Sequence, residues 1–416
     1  MTADTLLVRD AAQVVTVGDD GLAVNQDTDL AIAAGEVQAI GDDAAAALPD
    51  GEPSRTIDAT GQAVLPGFVD PHTHALFAGD RSDEFAAKLR GKTYQEILAA
   101  GGGILRTVRA VREATDEQLR DNLRQQLDVM VTHGTTTVEV KTGYGLDTET
   151  ELRMLEAIEA VDASHPVDVV PTYLGAHAVP PEIDREEYVT EVIEDQLPAV
   201  ADQGIAGYVD VFCDEGAFTR EEARRILEAG ADHGLAVKIH AEEFSRLGGA
   251  TLAAELGATS ADHLLQATDV DAAALAGSGV VPVLLPGTAF SIGAAYADPG
   301  LFADAGAEVA LATDFNPNCH SQSMQFAVTL ACVEMGMTPE DAIIAATRNA
   351  ALALDRAEGL GTLQPGTVAD ALLLDAPSYV DVPYRFAVNT VDTVIKGGEV
   401  VVEPGSGTGE AASVGQ

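Results

Sequence analysis

The segment VLPGFVDPHTH, residues 64–74, joins a short apolar run to two histidines spaced two residues apart. The run VLPGFV (64–69) has the length and composition of a buried strand, and His72 and His74 follow its carboxyl end. At the end of an extended strand, residues i and i+2 point to the same side of the backbone. The two imidazoles therefore suit adjacent ligands of one cation, although a histidine pair in a solvated loop has the same spacing.

Seven further apolar, β-branched runs follow, and longer helical patterns separate them. Capping boxes at Thr115–Gln118 and Thr219–Glu222 are typical of helix starts. Eight strand–helix units in series predict an α/β fold, namely a (β/α)8 TIM-type barrel. The seven runs are TTTVEV (135–140), VDVVPTY (167–173), YVDVFC (208–213), AVKIH (236–240), TSADH (259–263), VVPVLL (280–285) and VALATD (309–314).

The two ends of the chain carry a different pattern. Short apolar runs broken by Gly, Asp and Pro indicate antiparallel strands in both ends, and neither end is long enough for a robust sheet alone. We expect residues 1–63 and 369–416 to form one small β-sandwich domain jointly. The barrel then spans residues 64–368.

Polar groups recur at the predicted strand ends, where barrel enzymes build their active sites. His240 ends the fifth strand and Asp314 follows the eighth, so they join His72 and His74 on one rim. Three imidazoles and a carboxylate suit Zn²⁺ or Fe²⁺, and a catalytic ion keeps one position open for water.

Two more rim residues are candidates for proton transfer. Glu243 lies three residues after His240, close to the expected metal without being an obvious ligand. It suits proton transfer or binding of a ring N–H of the substrate, although Glu242 is adjacent and the chain is rich in carboxylates. His263 ends the sixth strand and is expected to be an acid, base or electrophile.

The composition excludes several classes of partner. Asp and Glu number 67 against 23 Lys and Arg, giving a net charge of −44. This charge repels nucleic acid and anionic membranes, and no apolar run approaches the ~18 residues of a membrane span. At 1 M salt the screening length is ~3 Å, which removes most of the repulsion among the acidic side chains of the protein. The charge therefore predicts adaptation to a high-salt cytoplasm. An ordinary acidic protein is the alternative. Three cysteines without a CxxC motif fit a reducing, cytoplasmic compartment.

These residues resemble the amidohydrolase superfamily, whose members combine HxH, His, His and Asp at successive barrel strand ends with a split β-sandwich. Within it, the motifs are similar to those of enzymes that open the ring of 4-imidazolone-5-propanoate in histidine degradation. HTH alone is a weak signal, whereas GYGL, LGAH and TDFNP together are far more specific. The matching segments, spread over nearly the whole chain, are 66–81, 139–155, 173–180, 209–213, 238–243, 260–264, 284–287 and 312–318.

The resemblance implies a role for each matched position. The implied metal ligands are His72, His74, His240 and Asp314. Substrate binding is implied for Arg81, Tyr94, Tyr144, His177 and Glu243, and product-side lining for Asn316, Asn318 and Cys319. Catalysis is implied for Glu243, His263 and Asp314. A propionate carboxylate needs a charge-assisted partner, which Arg81 supplies unless it is a surface charge.

The expected reaction is metal-dependent hydrolysis of the cyclic amide, giving N-formimidoyl-L-glutamate from a small-molecule substrate. The resemblance also implies a homodimer. It implies a single metal ion, because the fourth strand ends in Cys213 and an aspartate where many two-metal members of the superfamily carry a bridging lysine. Three positions depart from the family pattern: Asn318 and Cys319 replace a glycine and a serine, and Asp214 replaces a glutamate. The alternatives are a mononuclear deaminase of a nucleobase-like ring, a catalytically dead barrel and a polyanionic nucleic-acid mimic.

Overall fold

A computed structural model of the chain describes residues 5–92, 96–97, 100–357 and 359–403. Its strands are, in chain order, β1 (Thr5–Gly18), β2 (Gly21–Ala33), β3 (Glu36–Ile40), β4 (Arg55–Asp58), β5 (Ala63–Pro66), β6 (Phe68–Asp70), β7 (Thr135–Lys141), β8 (Asp168–Ala176), β9 (Tyr208–Cys213), β10 (Ala236–Ala241), β11 (Ser260–His263), β12 (Val281–Leu284), β13 (Ala310–Leu311), β14 (Ala371–Leu374), β15 (Val391–Lys396) and β16 (Glu399–Val402).

Helices follow most barrel strands. The predicted capping boxes are present, because Thr115 accepts a hydrogen bond from the amide of Gln118 and Thr219 from that of Glu222. The α-helices of the described residues are Ser82–Leu89, Ile104–Glu113, Asp116–Thr132, Thr148–Asp162, Arg185–Glu191, Leu197–Gln203, Arg220–Asp232, Gly249–Leu256, Asp269–Ser278, Pro286–Ile292, Pro299–Asp304, Met324–Val333, Pro339–Ala346, Arg348–Leu352 and Asp381–Tyr384.

Strands β6 to β13 form the predicted eight-stranded parallel barrel, in sequence order around the sheet. A parallel bridge between Thr73 and Phe315 joins the segments after the first and last strands. Two backbone hydrogen bonds reinforce it, from the amide of His74 to the carbonyl of Phe315 (2.8 Å) and from the amide of Asp314 to the carbonyl of His72 (3.1 Å). This closure brings the HxH pair beside Asp314.

The chain ends pair with each other, as predicted. The order of the second sheet is β16-β15-β14-β5-β1-β2-β3, with β4 also paired to β1. The antiparallel pairing of β14 with β5 joins the two ends of the chain in one eight-stranded sheet. The prediction of an α/β barrel with a small β unit built from both termini is therefore confirmed.

The first predicted strand, 64–69, is wrong in one respect: it is two strands. Residues Ala63–Pro66 belong to the terminal sheet and Phe68–Asp70 open the barrel. A side chain at Gly67 would place its Cβ 2.3 Å from Oγ1 of Thr136, so the chain crosses between the units where only glycine fits. We propose Gly67 as the junction of the two units, in place of the predicted boundary after residue 63.

Strand β7 is apolar on its outer face and polar on its inner face. In β7, Val138 and Val140 pack in the large core between strands and helices, whereas Glu139 and Lys141 alternate with them and are fully buried. No helix among the described residues is long and apolar enough to cross a membrane.

Candidate metal centre

Three imidazoles meet above the barrel interior. His72 and His74 follow β6, and His240 lies near the end of β10. Each of the three offers a ring nitrogen within 4.8 Å of those of the other two, and Nε2 of His240 lies 3.4 Å from Nε2 of His74. The three residues are at most 3% exposed, so the cluster is shielded from bulk solvent.

Asp314 completes the group. Its Oδ1 atom lies 3.6 Å from Nε2 of both His72 and His74, and its Oδ2 atom accepts a hydrogen bond from the Thr288 hydroxyl. Its backbone φ of +52° is in the left-handed region, which non-glycine residues seldom adopt outside functional or tightly constrained sites. One carboxylate oxygen is thus anchored and the other faces the imidazoles.

Two buried carboxylates fix the orientation of two of the three rings. Nδ1 of His72 lies 2.6 Å from Oδ2 of Asp262, and Nδ1 of His240 lies 3.1 Å from Asp210. A proton on each Nδ1 is shared with a carboxylate, which leaves Nε2 as the free lone pair. Both Nε2 atoms then face the centre of the cluster.

The donor set fits a divalent cation. Nε2 of His72 and Oδ1 of Asp314 are buried and have no hydrogen-bond partner among the described residues, a state that is costly unless an ion supplies the interaction. Burial lowers the pKa of His72 and His74 well below the usual value, so both rings are neutral, as ligation requires. Burial also raises the pKa of Asp314 to about 6, a cost that a bound cation offsets.

Below the cluster, a network of buried ion pairs fills the barrel. Nζ of Lys141 lies 2.7 Å from Asp210, 2.8 Å from Glu139 and 3.7 Å from Asp262. Nζ of Lys238 lies 3.0 Å from Glu139. Because buried charges are costly without partners, this mutual pairing stabilises the carboxylates behind the histidines. The pKa of Asp210 lies well below its usual value because the charges of His240 and Lys141 outweigh burial. Burial instead raises the pKa of Asp262 against the opposing charges of Lys238 and Lys141.

His263 and Glu243 border the cluster on one side. Nε2 of His263 lies 3.8 Å from Oε2 of Glu243, and the His263 ring centroid lies 5.2 Å from that of His72. Burial is the main cause that raises the pKa of Glu243 well above its usual value, with a smaller contribution from Asp314. Burial likewise lowers the pKa of His263. Burial thus favours the protonated form of the carboxyl and the neutral form of the imidazole, and such a pair is able to give and take protons.

The structure separates Glu243 from its neighbour. The Glu242 carboxylate accepts hydrogen bonds from the amides of Gly248, Gly249 and Ala250, at the start of a helix. Glu242 is therefore occupied away from the cluster, which supports the choice of Glu243 made from sequence.

Asp214 positions the segment that carries Glu243. Its carboxylate accepts hydrogen bonds from the amides of Glu243 (3.1 Å) and Phe244 (2.8 Å) and from the Ser245 hydroxyl (2.6 Å). Asp214 therefore holds a loop of the rim.

His177 and Tyr144 lie on the side of His74. The His177 ring stacks on His74 with centroids 4.9 Å apart, and its Nδ1 lies 3.1 Å from the Gly143 carbonyl. Burial lowers the pKa of His177 to about 3. The Tyr144 ring centroid lies 5.3 Å from that of His177.

Arg81 is almost buried in the loop that follows the HxH pair. Its Nε donates a hydrogen bond of 2.9 Å to Glu84, and its side chain is 9% exposed. Burial raises the pKa of Tyr144, whereas the charge of Arg81 lowers it, so the guanidinium lies within electrostatic reach of that phenol. Arg81 is not a surface charge.

The loop after β13 is built on Asn316. Its side-chain carbonyl accepts hydrogen bonds from the amides of Asn318 (2.7 Å) and Cys319 (3.0 Å), while its amide donates to the Asp314 carbonyl. The Cys319 thiol is buried against the Thr313 carbonyl at 3.7 Å. Two of the three predicted product-side residues thus make contacts inside the loop itself.

The sequence pattern of the amidohydrolase family matches residues 63–401. The chain belongs to the amidohydrolase family. It is 63% identical over 396 residues to an imidazolonepropionase of Halobacterium salinarum, with 93% of this chain and 95% of the relative covered. It is 61% identical over 385 residues to an imidazolonepropionase of Haloarcula marismortui, with 92% of each chain covered. The recognition made from the motifs is confirmed, as is the prediction of a hydrolase that acts on C–N bonds.

A solved structure shows the same fold at low identity. An atrazine chlorohydrolase from Arthrobacter aurescens, complexed with zinc and atraton, aligns with this amidohydrolase at a TM-score of 0.76 and 18% identity, covering 96% of this chain and 95% of that one. Family membership and the histidine cluster together indicate a metal centre. The sources of the two relatives, Halobacterium and Haloarcula, fit the predicted salt adaptation.

Most residues predicted from sequence lie around this centre of the amidohydrolase. Tyr94 lies outside the described residues. Sequence reasoning missed the buried partners Asp210 and Asp262, although a signal existed: both interrupt otherwise apolar strand runs. It also missed Lys88, whose Nζ donates a hydrogen bond to Oδ1 of Asn318.

Proposed function

We propose that this amidohydrolase hydrolyses the cyclic amide C–N bond of 4-imidazolone-5-propanoate to give N-formimidoyl-L-glutamate in histidine degradation. The observation that carries the proposal is the convergence of His72, His74, His240 and Asp314, with unpartnered atoms facing one another, beside a buried arginine. The 61–63% identity to imidazolonepropionases selects this cyclic amide among the substrates of the family.

We propose one divalent ion, Zn²⁺ or Fe²⁺, held by these four side chains. Neutral imidazoles and a carboxylate suit either ion. When bound, the ion polarises a carbonyl and makes water more acidic. The buried pairs of His72 with Asp262 and of His240 with Asp210 keep the two rings in the ligating tautomer.

At the reacting end, we assign proton transfer to three residues. Asp314 and His263 accept the proton of the attacking water, whose oxygen forms a bond to the ring carbonyl carbon. His263 is within reach of the developing oxyanion as a hydrogen-bond donor. As the C–N bond breaks, the leaving nitrogen takes a proton from Glu243, which burial keeps protonated.

At the other end, we assign the propionate to Arg81, Tyr144 and His177. A guanidinium binds a carboxylate with strong, charge-assisted hydrogen bonds. Arg81 uses its Nε atom for the contact to Glu84, which leaves its two Nη atoms for the propionate.

The assignments of Tyr94, Asn316, Asn318 and Cys319 to substrate and product contacts stay predictions. So do the homodimer, which light scattering tests, and the cytoplasmic location.

The test is turnover in molar KCl. We expect loss of the substrate's ultraviolet absorbance and a product heavier by one water in mass spectrometry. A chelator is expected to abolish turnover, and readdition of Zn²⁺ or Fe²⁺ to restore it; comparing the two ions at equal occupancy identifies the better cofactor. Release of ammonia from cyclic amidines or nucleobases, without turnover of the imidazolone, would instead favour the deaminase alternative.

A further inference from the structure

Lys88 connects the segment that follows the first barrel strand to the loop that follows the last one. It lies near the end of helix Ser82–Leu89, which follows the loop of the HxH pair, and its Nζ donates a hydrogen bond of 2.5 Å to Oδ1 of Asn318. Asn318 belongs to the loop after β13, next to Asp314. The side chain of Asn316 accepts a hydrogen bond of 2.7 Å from the backbone amide of Asn318, which holds the backbone of the residue that carries the acceptor.

The surroundings of Lys88 carry an excess of positive charge. Arg81 lies close enough to lower the pKa of Lys88, in addition to burial, whereas Glu84 raises it. The Glu84 carboxylate already accepts hydrogen bonds from Arg81 (2.9 Å) and from the amide of Gly103 (3.1 Å), and it lies 3.6 Å from Arg106. Arg106 is also paired with the exposed Asp83 at 2.7 Å. Two carboxylates, one of them exposed, therefore accompany three cations at this end of the site.

Such a position is unusual for a lysine in this chain, which has five. Lys141, Lys238 and Lys396 contact carboxylates at 2.6–3.0 Å, and Lys92 is exposed. Lys88 differs from these four lysines. It is half-buried, and its hydrogen bond among the described residues goes to the neutral side-chain amide of Asn318. A protein of net charge −44 that concentrates cations beside its metal centre has a binding region suited to an anion.

We propose that Lys88, aimed by Asn318, is a second cation for the carboxylate of the substrate beside Arg81. The inference rests on the proposed function and adds a residue that determines specificity. An ammonium has three donors, and Asn318 occupies one of them, which leaves two for a carboxylate. The amide carbonyl of Asn318 orients the ammonium but leaves its charge in place. A carboxylate at that position would neutralise the charge.

The test compares two probes on metal-loaded protein in molar KCl: imidazole-4-propionate and its primary amide, which differ in the negative charge. By calorimetry, Lys88→Met is expected to weaken binding of the propionate by about tenfold or more, the size of one hydrogen bond to a charged group, with little effect on the amide. Lys88→Arg is expected to retain most of the affinity. In turnover, KM is expected to rise more than kcat falls.

Lys92→Met is the matched control, since it removes an equal charge from an exposed position just beyond the same helix. An equal loss for both probes in Lys88→Met would overturn the proposal, because Lys88 would then only hold the loop of Asn318. Lys88→Gln and thermal melts in parallel exclude misfolding. Failure of the proposed function has a different signature: wild-type protein binds the propionate but does not turn over the imidazolone.

Discussion

Oδ2 of Asp262 lies 2.6 Å from Nδ1 of His72, and both side chains are fully buried. The carboxylate fixes both the ring orientation and the tautomer of this ligand. Replacing Asp262 by Asn removes the charge but keeps the shape, and we expect metal affinity to fall by about 10–100-fold. Metal content after equilibration with a graded series of chelator concentrations measures the change.

The exposed Asp20→Asn variant is the control for loss of one negative charge. Asp210→Asn is expected to act in the same direction as Asp262→Asn through His240, from which it lies 3.1 Å. Unchanged metal affinity in both variants would mean that the two carboxylates do not tune the ligands.

Removal of the metal is expected to lower stability as well as activity. The unpartnered Nε2 of His72 and Oδ1 of Asp314 gain an interaction only when the ion is present. A ligand at 100 times its Kd stabilises the native state by about 2.7 kcal/mol. We expect the melting temperature of chelator-treated protein to rise with added Zn²⁺ and to level off only slowly.

Asp314→Asn tests whether that stabilisation arises at this site. The variant keeps the contact to Thr288 possible while weakening the ligand, so its melting temperature is expected to respond less to Zn²⁺. An equal response in the variant would place the stabilising ion elsewhere on this acidic protein.

The sequence was sufficient for the barrel because its signals are local. Seven predicted strands, from 135–140 onward, lie within three residues of the observed bounds, since apolar runs and capping residues act over short distances. The remaining one, 64–69, was predicted as a single strand because hydrophobicity does not show a change of sheet. That change depends on the contact of Gly67 with Thr136, which is distant in sequence.

The site was predictable in its ligands and less so in its surroundings. Histidines at strand ends carry their own chemical signal, whereas the roles of Glu242 and Glu243 depend on a backbone turn with φ of +52° at Glu242. Likewise, the contact of Lys88 with Asn318 spans 230 residues of sequence. Such pairings follow from closure of the barrel and leave no periodic pattern.

Stability is expected to increase steeply with salt. The net charge of −44 repels itself over a screening length of about 10 Å at 0.1 M salt but only about 3 Å at 1 M. We expect the free energy of unfolding to rise over this range of KCl. Replacing the exposed Glu187 and Glu194 by Gln removes two charges from one acidic helical segment and should raise the melting temperature more at low salt than at high salt.

If the double variant gains the same stability at both salt concentrations, the gain does not come from relief of repulsion. Sucrose at matched osmotic strength is the solvent control, because it favours compact states without screening charge. Salt dependence reproduced by sucrose would count against an electrostatic cause.

Glu243→Gln is expected to lower activity while raising stability at high pH. Burial raises the folded-state pKa of Glu243, so between the unfolded pKa of about 4.3 and that raised value the folded state holds more protons than the unfolded one. Stability of the wild type therefore falls as pH rises through this window, and the glutamine variant lacks that contribution.

Because glutamine cannot deliver a proton, we expect kcat to fall by about 10²–10⁴ with a smaller change in KM. Denaturant unfolding across pH measures the first effect and steady-state kinetics the second. Glu242→Gln is the neighbouring control: its carboxylate binds helix amides, so it should lose stability and keep most of kcat. A stability difference between wild type and Glu243→Gln that does not change with pH would contradict the assigned titration.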